Sequence, residues 1–173
     1  NDADEAMLGG VYSDEGITAA VWAPTATEVN LLVFNDDKTL ANRYPMAFDD
    51  TSGVWSYAGD TSLDGKLYRY EVTVYYPSLE EITTLEVTDP YSVSLSTNGR
   101  FSRFVNLSDE SLKPDGWDTQ WIPEIANPED AVIYEGHVRD FSIRDMSTSE
   151  ANRGKYLAFT ETGSDPVNHL QTL

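Results

Sequence analysis

The stretch at residues 67–76, LYRYEVTVYY, decides the fold class. Tyr68, Tyr70 and Val72 stand at alternate positions, with Arg69 and Glu71 between them. Successive side chains of a β-strand point to opposite faces of the sheet, so this alternation is typical of a strand with one apolar and one polar face. The segment therefore predicts a half-buried strand.

Similar segments flank this strand along the chain. We predict strands at residues 16–23, 28–34, 43–48, 54–57, 81–88 and 100–107. Turn-forming residues separate them, among them the Asp-rich runs at residues 35–38 and 49–53, and Pro24 ends the first strand because it has no N–H to donate. Short strands at close spacing, with no convincing helix between them, predict a mainly β chain with a β-sandwich over residues 9–107, preceded by an acidic tail at residues 1–8.

The sequence changes character after residue 107. Residues 108–130 are rich in Asp, Glu and Pro and are typical of a linker. An apolar segment at residues 131–134 predicts a new strand, and Ser164-Asp165-Pro166 predicts the start of a helix with Val167, Leu170 and Leu173 on one side. We interpret residues 131–173 as the first βα unit of a larger α/β domain, truncated, because such a unit alone leaves both faces of a parallel strand uncovered.

Composition excludes several classes of function. The chain of 173 residues has 30 acidic and 11 basic residues, a formal net charge of −19 and no cysteine. Nucleic acid and anionic membrane surfaces would be repelled, whereas a neutral glucan would not. Disulfides and thiolate metal sites are excluded, and no apolar run is long enough for a membrane-spanning segment. The first residues do not resemble a signal peptide, so we expect the signal of a secreted parent protein to lie upstream.

Polar residues give no clear catalytic site. Glu135 and Asp140 flank the predicted strand at residues 131–134, but five strand residues would separate them by roughly 16 Å on opposite faces, so salt bridging or capping is the better interpretation. The spacing of His137 and His169 does not fit a zinc site. His137 is a candidate for substrate contact at a barrel strand end, and the alternative is a structural histidine. We therefore predict no catalytic residue and no metal ligand.

Aromatic side chains are the remaining candidates. Exposed aromatic rings can stack on the apolar faces of sugars, which makes Trp55 and Tyr57 candidates for substrate binding, with Tyr75, Tyr76 and Trp117 as further members of a platform. We place Trp22, Tyr68 and Tyr70 on strand faces that belong to the core. Packing is the more common role of an aromatic side chain in a sandwich, and that alternative stays open for each candidate.

Several segments together resemble a known family. Residues 21–26, VWAPTA, resemble the W-[AS]-P-x-A signature of family 48 carbohydrate-binding modules. Residues 68–75 and 87–92 are similar to the later strands and the exit of that module, and residues 133–142 and 153–160 are similar to the first barrel strand of pullulanases and the loop after it. The chain thus resembles the N-terminal part of pullulanase-type α-1,6-glucosidases of the α-amylase superfamily, glycoside hydrolase family 13.

This resemblance implies an Ig-like β-sandwich followed by a truncated start of a (β/α)8 barrel. It implies a parent enzyme that hydrolyses α-1,6-glucosidic bonds of pullulan, starch or glycogen with retention, and that is secreted, periplasmic or on the cell surface. The family's catalytic residues lie on later barrel strands, so we expect the chain alone to be inactive and to have an intramolecular catalytic barrel as its partner. No cofactor is implied for this chain, and calcium is left open for the parent.

Two alternatives remain from the residues. Besides a part of a debranching enzyme, the chain is compatible with a stand-alone glucan-binding module or with a non-enzymatic Ig-like interaction domain that recruits another protein through a sheet edge or an apolar patch. Glucan affinity separates these alternatives, because only the first predicts it.

Overall fold

The computed structural model describes residues 2–122 and 124–173. Residue 1 of the predicted tail and residue 123 of the predicted linker lie outside the described residues. The chain is divided into two compact units. The first ends at Trp117 and the second begins at Asp118. The first unit is built of antiparallel β-strands and the second of short helices.

Two antiparallel sheets form the first unit. The first sheet has the order β1-β2-β6-β5 and the second the order β4-β3-β7-β8, with β9 added beside β7. The strands are β1 Gly9–Ser13, β2 Gly16–Trp22, β3 Ala26–Phe34, β4 Leu40–Pro45, β5 Ala47–Asp49, β6 Val54–Gly59, β7 Leu67–Tyr76, β8 Glu81–Val87 and β9 Ser102–Arg103. This arrangement confirms the predicted β-sandwich.

The core follows the alternation of β7. Tyr68 and Tyr70 are 1% and 0% exposed and pack in one apolar cluster with Leu31 and Trp55. The interposed side chain of Arg69 lies on the other face, where its guanidinium forms an ion pair with Glu86 at 2.8 Å. The predicted apolar and polar faces of this strand are therefore confirmed.

Strand β3 is covered on both faces, as its continuous apolar run predicts. Val29, Leu31 and Val33 face the main cluster, and a second cluster on the opposite face contains Leu32, Phe34, Leu67 and Phe101. The rings of Phe34 and Phe101 meet edge to face at 4.9 Å. The segment that carries Phe101 thus covers the outside of the second sheet.

Three strand predictions differ from the structure. The predicted strand at residues 43–48 is two strands, β4 and β5, which belong to different sheets, and Met46 between them is buried. Pairing at residues 100–107 is limited to β9, and β1 at the edge of the first sheet was not predicted. A chain that crosses between sheets keeps apolar residues inside both, so the crossing leaves no break in the sequence pattern.

Short helices make up the rest of the described chain. The α-helices are α1 Val138–Ser142 and α2 Asp165–Gln171, and none of the described helices is long and apolar enough to cross a membrane. Turns of 3-10 helix occupy Asp2–Glu5, Thr61–Leu63, Thr97–Gly99, Glu110–Leu112, Trp117–Thr119, Pro128–Asp130 and Tyr156–Thr160. The predicted start of α2 is confirmed by Ser164 at its N-cap and proline in its first turn.

The strand predicted at residues 131–134 is wrong for this structure. No strand occurs among residues 124–173, and Val132 and Ile133 are 95% and 88% exposed. A parallel strand needs neighbours for its backbone hydrogen bonds and for both of its faces, and the described residues of this unit provide neither. Leu173 was expected beside Val167, but it is exposed while Val167 is buried.

Candidate functional site

The VWAP segment, residues 21–24, is bonded to the turn that precedes β6. The indole N–H of Trp22 donates to the carbonyl of Ser52 at 3.1 Å, and the indole N–H of Trp55 donates to the carbonyl of Ala23 at 3.0 Å. Gly53 has a φ of 77°, and a Cβ there would lie 2.7 Å from Cβ of Pro24. The segment therefore fastens the end of β2 to the turn before β6, and this role is structural.

The burial of Trp22 and Trp55 is the reverse of what the sequence predicts. Trp22, expected in the core, is 44% exposed, while Trp55, expected on the surface, is 8% exposed. Because β2 pairs with β6 so that Val21 lies opposite Trp55, Trp22 faces away from the core beside Val54. The expected exposure of Trp55 is therefore wrong, and its buried ring has no free face for a sugar.

Tyr57 packs against the main core cluster of the sandwich. It is half-buried and stacks on Tyr44 at a ring-centroid distance of 4.5 Å. Burial raises its pKa, and the neighbouring Tyr44 and Asp60 raise it further, so the hydroxyl stays protonated. Phe48 lies on the neighbouring strand, is 45% exposed and packs on Trp55 at 4.8 Å. Glucan binding by Tyr57 stays a prediction.

The β7–β8 hairpin carries the most exposed aromatic side chain of the sandwich strands, that of Tyr75. Tyr75 is 53% exposed and lies opposite Ile82, which is 65% exposed. Tyr76 is 42% exposed and lies opposite Glu81 on the other face. This end of the sheet offers a flat apolar contact of the kind that stacks on a sugar ring, and its strand pattern was visible in the sequence.

Asp89 forms a buried polar network that sequence reasoning missed. It is 4% exposed and accepts hydrogen bonds from the hydroxyls of Tyr68 at 2.6 Å and Tyr70 at 3.3 Å. The N–H of Tyr91 donates to it, and its own N–H donates to the hydroxyl of Ser102. Burial raises the pKa of Asp89 despite these bonds. Each of these partners belongs to the sandwich, so the network fixes the segment after β8 to the core. The carboxyl group of Asp89 is therefore not exposed to solvent.

His137 has a structural role in the second unit. Its side chain is exposed, and its Nδ1 accepts a hydrogen bond from the N–H of Arg139 at 3.2 Å, which caps the start of α1. Asp140 forms an ion pair with Arg139 at 3.5 Å, as the salt-bridge interpretation predicts. Substrate contact by His137 stays a prediction. Among residues 2–122 and 124–173, no group of three or more His, Asp or Glu side chains could hold a metal ion.

An apolar groove lies in the second unit. It has a volume of about 280 Å³ and is lined by Tyr134, Gly136, Phe141, Phe159 and Leu170. The rings of Phe141 and Phe159 stack at 4.0 Å and form one wall. Large exposed apolar residues of this kind mark surfaces that contact another chain segment.

Comparison with known proteins identifies the sandwich. Residues 7–92 match carbohydrate-binding module 48, described as the isoamylase N-terminal domain. Residues 7–92 belong to this module family. Over 99% of its length it is 44% identical to a pullulanase of Klebsiella pneumoniae, of which it covers 16%. It thus spans about a sixth of the length of that curated relative.

Solved pullulanases share the fold of nearly the whole chain. The structure of the Klebsiella pneumoniae pullulanase complexed with maltotriose matches 98% of this chain and 16% of its own with a TM-score of 0.88 and 41% identity. A pullulanase from Bacillus acidopullulyticus matches 91% of this chain and 18% of its own with a TM-score of 0.71 and 40% identity. The likeness therefore extends past the module 48 match at residue 92 and includes the second unit.

Proposed function

We propose that this chain is a non-catalytic part of a pullulanase-type debranching enzyme that hydrolyses α-1,6-glucosidic bonds. The observation that carries the proposal is the 44% identity to one pullulanase over 99% of the chain, which spans the module and the second unit in one alignment. A stand-alone binding module would need only the sandwich. The second unit is therefore retained together with the module, as expected for parts of one enzyme.

The exposed apolar residues of the second unit support an intramolecular partner. Val132 and Ile133 are almost fully exposed, and the apolar groove lies in the same unit. Exposed β-branched residues in a segment that forms no strand are suited to pair with a neighbouring strand. We infer that the catalytic barrel of the parent enzyme supplies that strand and covers the groove.

The substrate and location follow from the same proposal. The substrate is an α-glucan, namely pullulan, starch or glycogen, and a Klebsiella pneumoniae pullulanase was solved with maltotriose bound. The acidic chain would not repel such a neutral polymer. We propose that the parent enzyme is secreted, periplasmic or on the cell surface. We propose no cofactor for the chain itself, and calcium in the parent enzyme is left open.

Complementation of pullulan hydrolysis tests the proposal. The chain alone should release no maltotriose from pullulan, and a mixture with a polypeptide that carries the missing barrel should release it. Ile133→Asp should lower the activity of the mixture at least tenfold by placing a charge where the barrel covers the chain. Leu112→Asp is the matched control, because Leu112 is 52% exposed in the first unit. Hydrolysis by the chain alone, or equal activity of both variants, would refute the proposal.

Glucan binding by the module is the second candidate function. The exposed Tyr75 and Ile82 at the hairpin end favour it, because they form a flat apolar contact without an obvious packing role. Retarded migration in gels that contain glycogen measures this binding. Tyr75→Ala should abolish the retardation, whereas retardation equal to that of the wild type would exclude this contact.

A further inference from the structure

A polar groove lies on the first unit, away from the residues considered so far. Its volume is about 730 Å³, within the range of small-molecule sites. Three segments meet there: the β1–β2 turn, the 3-10 turn after β6, and residues 106–110. These segments contribute the side chains of Tyr12, Ser13, Thr61, Asp64, Asn106 and Ser108.

The ring of Tyr12 is held in place at this groove. Its hydroxyl donates to a carboxylate oxygen of Asp64 at 2.7 Å, and Ile17, which is 1% exposed, lies opposite Tyr12 in the β1–β2 pairing. Burial raises the pKa of Tyr12, and the hydrogen bond and charge of Asp64 raise it further. The hydroxyl therefore stays protonated and bonded, and a fixed ring loses little side-chain entropy when a ligand stacks on it.

The remaining lining is rich in hydrogen-bonding groups and acidic, with carboxylates at Asp14, Asp64, Asp109 and Glu110. Ser13, Thr61 and Ser108 supply hydroxyls, and Asn106 supplies an amide. The carboxylate of Glu110 is paired with Lys113 at 2.7 Å. Acceptor groups beside a fixed aromatic ring suit a neutral ligand with many hydroxyls and one apolar face, whereas an anion would be repelled.

We propose that this groove binds a short segment of α-glucan, with Tyr12 as the stacking residue. The proposal rests on the proposed glucan function and adds a binding site to it. A glucose unit has hydroxyls around its edge for the serine, threonine, amide and carboxylate groups. It also has an apolar face for the ring of Tyr12. A cationic peptide is the competing ligand class, and it would use the carboxylates and leave the ring without a role.

Titration of the chain with maltohexaose tests the groove. Calorimetry should detect binding that Tyr12→Leu weakens by about tenfold, as expected for the loss of one aromatic stacking contact. Tyr12→Phe should keep most of the affinity because it keeps the ring. Tyr156→Leu is the matched control, since Tyr156 is 79% exposed in the second unit. Equal thermal midpoints would establish that the variants are folded.

Amide NMR shifts locate the ligand independently of affinity. Shifts should concentrate at residues 12–17, 61–64 and 106–110, and binding should change little with added salt because the ligand is neutral. The proposal is overturned by shifts centred on Tyr57 or Tyr75, or by a folded Tyr12→Leu variant that binds like the wild type. It is also overturned by no binding at all, or by affinity only for cationic peptides.

Pullulan hydrolysis in the mixture is measured separately. Hydrolysis without maltohexaose binding would remove the groove proposal alone, and binding without hydrolysis would remove only the enzyme proposal.

Discussion

The two units of the chain satisfy their backbone and apolar groups in different ways. In the sandwich, β7 pairs with β3 and β8 on its two sides and buries Tyr68 and Tyr70 completely. In the second unit, residues 131–137 pair with no strand among the described residues, and Val132 and Ile133 remain exposed. An apolar segment is therefore buried in the first unit, where neighbouring strands are present, and exposed in the second, where they are absent among the described residues.

This difference indicates where stability lies. The sandwich has a core made by residues distant in sequence, so its elements depend on one another and should unfold together. The second unit is held largely by local bonds, such as those from Ser147 and Thr148 to Asp145. Such units open at low free energy, and we expect this one to gain stability only from a partner.

The largest expected effect follows from separating the units. A chain that ends at Trp117 should keep a cooperative thermal transition, because it retains both sheets. A chain that begins at Asp118 should show none, because its apolar surface has no core to join. Circular dichroism and hydrogen exchange measure both. A cooperative transition in the second piece would remove the contrast.

Core substitutions sharpen the same contrast. Leu31→Ala should lower the free energy of unfolding of the sandwich by about 2–5 kcal/mol, because Leu31 is fully buried and the change leaves a cavity. Ile133→Ala should change it by less than about 0.5 kcal/mol, because Ile133 is exposed. Urea unfolding of the full chain compares the two. A cost for Ile133→Ala as large as that for Leu31→Ala would contradict this prediction.

The indole bond of Trp22 should contribute less than core packing. Trp22→Phe removes the N–H that donates to Ser52 and should cost about 0.5–1.5 kcal/mol of sandwich stability. Hydrogen exchange at the turn before β6 should speed up in the same variant. Trp117→Phe is the control, because Trp117 is 62% exposed. This variant should change neither the sandwich stability nor the hydrogen exchange at that turn.

The smallest effects are on the pH dependence of each unit. Burial raises the pKa of Asp89, so the folded sandwich holds this proton to higher pH than the unfolded chain, and the stability linked to it is lost as pH rises through the raised pKa. Bonds from Thr148 and Ser147 lower the pKa of Asp145 to about 2, so its contribution is lost as pH falls toward that value. NMR titration of the two carboxyls measures both pKa values. Shifts in the same direction would contradict the assignment, and Asp89→Asn should remove the first dependence.

Most strands could be predicted from the sequence, but the strands and side chains that they contact could not. The boundaries of β7 were predicted residue by residue, because strict alternation of this kind is a local signal. The split of residues 43–48 into β4 and β5 had no such signal, since Met46 is apolar like its neighbours and is buried at the crossing. The network of Asp89 was missed for a related reason, because its tyrosine partners are distant in sequence.

The candidate site shows the same limit. Strand β2 has apolar residues on both faces, with Val21 on one and Trp22 on the other, so its sequence does not say which face meets the core. The pairing of Val21 with Trp55 decides that Trp55 is buried and Trp22 is exposed. The polar groove at Tyr12 likewise combines segments that no sequence motif connects.

The sequence by itself determined the β class, the turns and the order of the two units, because alternation, proline and Asp-rich turns act over a few residues. The tertiary structure alone decided which aromatic rings are buried, which carboxylate is enclosed and whether residues 131–134 form a strand. These outcomes depend on register and on neighbouring strands that lie far away along the chain, and a shift of one residue in register would exchange the two faces of a strand.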